Sequence, residues 1–258
     1  MKFKIGKLKT MKFKMFILVV SLLLLGPVSG SATEIIVSGA ASLTNAFTAI
    51  KTAFEAANPE ITVNTNFAAS NPLLQQIREG APADIFASAD QDTMNKAEAE
   101  NLIIQETRRN FALNSLVLIV PKGETKITGV DDLPNAKQIA IGNPDSVPAG
   151  RYAKASLESQ GLWEKLNSIY IQGESVRQVL DYVTRAEVEA GFVYATDAFI
   201  AADSVDIVAT MTGHAPVLYP VAVVAGSKNQ DSASKFIDFL LSADGMNILK
   251  AYGFSPAD

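Results

Sequence analysis

Gly39-Ala40-Ala41-Ser42-Leu43-Thr44-Asn45-Ala46-Phe47 decides how this chain is read, because it stands where a strand gives way to a helix. Before it, Glu34-Ile35-Ile36-Val37 has the β-branched character of a short buried strand. After it, Phe47, Ile50, Phe54 and Ala57 recur at helical spacing. The first N–H groups of a helix have no carbonyl four residues back to bond and carry the positive end of the helix dipole, so an anion is their natural occupant. For Ser42 alone the plainer reading is an N-cap. The same junction returns downstream.

Ile61-Thr62-Val63-Asn64-Thr65-Asn66-Phe67 alternates apolar and polar residues and runs into Ala68-Ala69-Ser70-Asn71-Pro72, where Pro72 suits a first helical turn. Ser70 is thus a second serine at a strand-to-helix junction. Ala83–Ala87 reads as a buried strand, and Ser88-Ala89-Asp90 opens a helix that runs to about Ala99. Ser115–Val120 and Tyr219–Val224 are unbroken apolar strands. Between them, strands over 138–141, 169–171 and 191–194 alternate with helices over 149–160 and 175–185. Two more helices, near 232–241 and 245–252, close the chain. Three further junctions result. Ala149 lies where one helix's free N–H groups begin, Val176 stands just inside another capped by Ser175, and Tyr194 ends a strand with its hydroxyl at a cleft edge.

Such alternation argues for sheets covered by helices. The expected fold is α/β and two-lobed, each lobe a mostly parallel sheet flanked by helices. Lobe I takes residues 33–112 plus 217–258 and lobe II takes 113–216, with two crossings between them. Ligands of open α/β sheets sit outside the carboxyl ends of the strands, which here places the ligand in the inter-lobe cleft.

Residues 1–32 read as a signal peptide: six lysines from Lys2 to Lys14, an apolar run from Met15 to Leu25, then small residues fitting cleavage after Gly30 or Ala32. The run is short of the ~20 residues a permanent bilayer span needs. The repeated Met-Lys-Phe-Lys leaves either Met1 or Met11 as the start. Removing those six lysines from the 22 basic residues leaves 16 against 27 acids, a charge of about −11, which disfavours nucleic acid and anionic membranes as partners. There is no cysteine, hence no disulfide, thiolate chemistry or lipid-anchor acceptor. A freely soluble, periplasmic, monomeric protein is expected.

Several stretches together resemble the periplasmic molybdate-binding proteins that feed ABC importers. They are Ala40-Ala41-Ser42-Leu43-Thr44, Gly80-Ala81-Pro82-Ala83-Asp84-Ile85-Phe86 with Ser88-Ala89-Asp90, Asn114-Ser115-Leu116-Val117, Val147-Pro148-Ala149-Gly150, Val193-Tyr194, Tyr219-Pro220-Val221-Ala222-Val223-Val224 and Tyr252-Gly253-Phe254. Any one is weak; the ordered set is specific. The resemblance implies a class II periplasmic-binding-protein fold that holds molybdate or tungstate as an oxyanion, without a direct metal ligand or cofactor, and hands it to a membrane ABC permease. The ligand residues it implies are Ser42 and Ser70 (hydroxyl and N–H), the N–H groups of Ala149 and Val176, and the Tyr194 hydroxyl. This sequence departs from the family at Asn71-Pro72, since Pro72 has no N–H. The Asn71 amide is the candidate replacement donor, its alternative being a helix cap.

A donor-only pocket suits an anion fully deprotonated at neutral pH and leaves a protonated analogue such as phosphate with a donor facing a donor. Sulfate has the same charge and a smaller radius, so a sulfate receptor is the nearest alternative. An enzyme on the same fold is a more distant one. Enzymatic chemistry finds no support: the Gly-x-Ser-x-Gly elbow is absent and His214, the single histidine, reads as a solvated loop residue. One histidine and no cysteine leave only carboxylates for a metal. Arg108, Arg109, Arg151 and Arg177 read as surface or lobe-closing residues.

Overall fold

The computed structural model describes residues 1–2 and 32–257; the signal-peptide reading therefore falls almost wholly outside the described residues. The first strand, β1 (Thr33–Ala40), pairs in parallel with β2 (Ile61–Ala68) on one side and β3 (Ile85–Ala87) on the other. Sitting between neighbours on both edges, β1 buries Ile35, Val37 and every residue from Val37 to Ala40. β4 (Arg109–Asn114), β10 (Val217–Val223) and β11 (Ser255–Pro256) complete a six-stranded sheet in the order β11-β4-β10-β3-β1-β2. The second sheet has the order β7-β6-β8-β5-β9. Its strands are β5 (Leu116–Pro121), β6 (Ile139–Gly142), β7 (Tyr170–Gly173), β8 (Ala190–Tyr194) and β9 (Val205–Thr210).

The two-lobed α/β expectation holds: β1, β2, β3 and β4 run one way in the first sheet and β6, β7, β8 and β9 in the second, and opposing strands make both sheets mixed. β10 runs antiparallel to both β3 and β4, and β5 runs antiparallel to both β8 and β9. The reason is topological. β5 and β10 are the strands that enter each sheet directly from the other, without a helical crossover of the kind that keeps successive strands parallel.

Helices cover both sheets: α1 (Thr44–Ala57), α2 (Ser70–Arg78), α3 (Gln91–Ala99), α4 (Pro148–Ser159), α5 (Val176–Thr184), α6 (Ala195–Ile200), α7 (Gln230–Leu241) and α8 (Ala243–Ala251). α1 buries Phe47, Ile50 and Phe54, the spacing of one helical face. Those side chains begin an aromatic chain. Phe54 and Phe47 meet Phe236 at centroid separations of 5.2 and 6.2 Å, Phe47 meets Phe111 at 5.8 Å, and Phe111 meets Tyr219 at 6.1 Å. Tyr219 then meets Tyr194 of the second sheet edge-on at 5.8 Å. The core of the first lobe thus supports rings at the junction between the two.

Candidate functional site

Ser42 lies in a 3-10 turn, Ala41–Leu43, that links β1 to α1. The plain N-cap reading does not apply, because the turn's cap is Ala40 and no side-chain cap bond forms. The Ser42 hydroxyl instead sits 2.9 Å from the Tyr219 hydroxyl, both fully buried. The neighbouring Tyr194 hydroxyl is also fully buried and has no hydrogen-bond partner. Burial pushes the Tyr194 phenol well above its ordinary pKa, with smaller contributions from Tyr219, Tyr152, Asp90 and Asp197. Burial does the same to Tyr219, opposed by its bond to Ser42. Both phenols therefore keep their protons and can donate.

Ser70 is the first residue of α2, and its hydroxyl accepts from the Ala89 N–H at 3.0 Å. That contact ties it to Asp90, which caps α3 through the Thr93 N–H at 3.1 Å. Asp90 is in turn paired with Arg151, two residues beyond Ala149 on α4. Ala149 owes its place to a close approach of backbones. A Cβ on Gly150 would lie 1.9 Å from the Gly142 carbonyl oxygen, so only glycine lets the first turn of α4 seat against the end of β6. Pro148 begins that helix, where its missing N–H costs nothing. Val176 opens α5 behind Ser175, whose side chain accepts from the Gln178 N–H at 3.2 Å, as its reading as a cap required.

Arg177, next to Val176, reaches across to donate to the Ser42 carbonyl at 3.2 Å and to Asn45 Oδ1 at 2.7 Å. Val176 is thereby brought to Ser42, Tyr194 reaches Ser42 through Tyr219, and Ala149 is tied to Ser70 through Arg151, Asp90 and Ala89. Each of the five positions is thus linked to the other sheet's junctions through intermediate residues: Tyr219, Arg177, Asp90 and Arg151.

The arginines are spent on protein groups. Arg151 donates to Asp90, Thr93 Oγ1 and the Pro144 carbonyl, while Arg177 Nε lies 2.6 Å from the fully buried Asp197 carboxylate. Asn71 is likewise occupied. Its Nδ2 donates to the Asp145 carbonyl at 2.7 Å and its Oδ1 accepts from Thr93 Oγ1 at 2.9 Å, so it joins the lobes. Tyr219, Asn114, Asp90 and Asp197 were not singled out one by one from sequence. Tyr219, Asn114 and Asp90 stood in quoted stretches, but their roles depend on partners far along the chain.

His214 departs from the solvated reading: it is half-buried, its ring 5.4 Å from that of Tyr152, with Nδ1 2.7 Å from the Ala215 carbonyl. Among the described residues no group of three metal-ligating side chains comes together, and no helix is long and apolar enough to cross a membrane.

Residues 35–255 match the family model of bacterial extracellular solute-binding proteins. The molybdate-binding protein ModA of Escherichia coli K12 is 40% identical over 231 residues, covering 86% of this chain and 89% of its own. The chain belongs to this solute-binding family, among its ModA proteins. A putative ABC transporter substrate-binding lipoprotein, YvgL of Bacillus subtilis, is 37% identical and covers 85% of each chain. Among solved structures, the substrate-binding domain of a putative molybdenum ABC transporter from Clostridium difficile is 35% identical with a TM-score of 0.68, covering 88% of this chain and all of that one. As a member of this family the chain is an extracytoplasmic solute-binding protein, not an enzyme.

Proposed function

We propose that this protein captures molybdate, and tungstate equally, in the cleft between its lobes by neutral hydrogen bonds and delivers it to a membrane ABC permease. The donors in this reading are the hydroxyls and N–H groups of Ser42 and Ser70, the N–H groups of Ala149 and Val176, and the Tyr194 hydroxyl. Lobe I is 33–112 plus 217–258, lobe II is 113–216, and the protein works as a monomer in the periplasm. The observation that carries the reading is the Tyr194 hydroxyl, fully buried and without a partner, on a ring packed edge-on against Tyr219, whose own hydroxyl meets Ser42. Leaving such a group unpaired costs about 1–3 kcal/mol, a cost that a bound oxyanion removes. Arg151 and Arg177 are committed to Asp90 and Asp197, which favours recognition by dipoles and hydroxyls over recognition by a bare cation.

An anion touching donors from both lobes favours the closed state, and closure gives the permease a surface that differs between loaded and empty receptor. Calorimetry on the mature protein with molybdate, tungstate, sulfate and phosphate tests this reading. Molybdate and tungstate bind alike, sulfate binds far more weakly, and phosphate, carrying a proton, is rejected. Sulfate binding as tight as molybdate would overturn the ligand while leaving the receptor. Ser42→Ala removes one hydrogen bond to a charged group, worth about 1.5–3 kcal/mol, and weakens molybdate binding by roughly 10- to 150-fold.

A further inference from the structure

The Ser42 hydroxyl can meet an anion in two ways, as a donor with its proton aimed into the cleft or as a rotor whose proton is already given to Tyr219. Three linked contacts decide between them. Asn114 Oδ1 accepts the Ser115 N–H at 2.9 Å, which fixes the amide orientation, because the flipped amide would set an NH2 group against that N–H. Asn114 Nδ2 therefore faces outward, donating to Thr196 Oγ1 at 2.8 Å and to the Tyr219 hydroxyl oxygen at 3.3 Å. A phenol has one proton. With its oxygen accepting from Asn114, that proton goes to the acceptor remaining 2.9 Å away, Ser42 Oγ.

We infer that Asn114 and Tyr219 form a one-directional hydrogen-bond relay that holds the Ser42 hydroxyl as a pure donor toward the ligand, making Asn114 and Tyr219 positioning residues for anion selectivity. This inference rests on the oxyanion reading of the cleft. The relay uses one of the two Ser42 lone pairs and leaves the Ser42 proton aimed into the cleft, so it strengthens binding of a fully deprotonated oxyanion and sets a donor against one carrying an O–H group. Its origin also matters. Asn114 and Ser115 are the residues through which the chain passes from β4 in the first sheet to β5 in the second, so the relay starts at the crossing between the lobes.

Asn114→Asp tests the direction of the relay. The carboxylate is isosteric and still accepts the Ser115 N–H, but it accepts where the amide donated. The Tyr219 proton turns toward it, and the Ser42 proton turns toward Tyr219 and away from the cleft. Molybdate affinity of the mature Asn114→Asp protein, by calorimetry, falls roughly 10- to 150-fold, the worth of one hydrogen bond to a charged group, with thermal unfolding of the ligand-free protein unchanged. A through-space effect of the added charge would give the same loss whether or not Tyr219 is present. The relay predicts that in a Tyr219→Phe background Asn114→Asp costs less than about threefold, a coupling that a double-mutant cycle reads directly. Tyr219→Phe also frees that Ser42 lone pair and narrows the ratio of molybdate to inorganic phosphate affinity. Equal losses in both backgrounds, or wild-type affinity in Asn114→Asp while Ser42→Ala is impaired, overturns the relay alone. Wild-type affinity in Ser42→Ala overturns the oxyanion site beneath it.

Discussion

Two arginines join the lobes, and they are built differently. Arg177 has its carboxylate, Asp197, on its own side of the cleft, and crosses only to neutral acceptors, the Ser42 carbonyl and Asn45 Oδ1. Arg151 has its carboxylate, Asp90, on the far side, together with Thr93, and Asn71 reaches back from there to the Asp145 carbonyl. In the opening and closing that the proposed function requires, Arg177 would keep its counter-charge and Arg151 would lose it. The first pair thus belongs to the fold of one lobe, which it tethers lightly to the other. The second belongs to closure.

The largest expected effect follows from breaking the first pair. Asp197 is fully buried, and removing Arg177, its one basic partner among the described residues, leaves an uncompensated charge, a change that typically costs about 3–5 kcal/mol. Arg177→Met should therefore lower the urea unfolding free energy of the ligand-free protein by that order. Adding Asp197→Asn should recover most of it, since a neutral buried amide needs no counter-ion. A single variant as stable as wild type would mean that Asp197 already carries a proton or that water reaches it.

Arg151→Gln probes the second pair and should act elsewhere. Asp90 keeps its bonds to the Thr93 N–H and the Ser88 hydroxyl, and opening the cleft rehydrates it, so the unfolding free energy should move by less than about 0.5 kcal/mol. What is lost is a preference for the closed state. The pair is less exposed than a surface ion pair, worth about 0.2–1 kcal/mol, yet it escapes the full cost of a broken buried one. A rise in the molybdate Kd of roughly 5- to 30-fold, carried mainly by faster dissociation, is expected from stopped-flow measurements. If Arg151→Gln instead unfolds the protein as readily as Arg177→Met does, the contrast between the two arginines fails.

That contrast also marks where reading the sequence stops. The junction positions of Ser42, Ser70, Ala149, Val176 and Tyr194 are legible because each carries a local signature such as a β-branched run, a turn residue or the onset of helical spacing. Their partners are not. Ser42 meets Tyr219 across 177 residues, Asn114 meets Tyr219 across 105, and Arg151 meets Asp90 across 61, and no local pattern encodes such pairings. The same limit explains the sheets. β9 alternates only weakly, as an edge strand exposed on one side does. The apolar run of β10 identifies a strand but says nothing of its direction, which the return of the chain from the second lobe imposes.

The smallest expected effect is a dependence on pH, and it is read from the sign of a slope rather than from its size. Burial raises the pKa of Asp197 above its ordinary 3.8, with Arg177 and the Tyr194 N–H pulling the other way. The folded protein then holds this proton more tightly than the unfolded chain does. Its contribution favours the fold at low pH and is lost as pH climbs from about 3.8 through the raised folded value. Lowered carboxylates such as Glu55 and Asp132 slope the other way, so the raw pH profile of stability hides the contribution of Asp197. The difference between wild type and Asp197→Asn isolates it. Urea unfolding of both proteins from pH 4 to 7 should show wild type losing ground to the variant as pH rises, by no more than about 1.4 kcal/mol per pH unit. A difference that grows in favour of wild type would mean that the attraction of Arg177 outweighs burial. Asp197 would then be a stabilising partner, and the cost assigned to losing Arg177 would have to be divided between them.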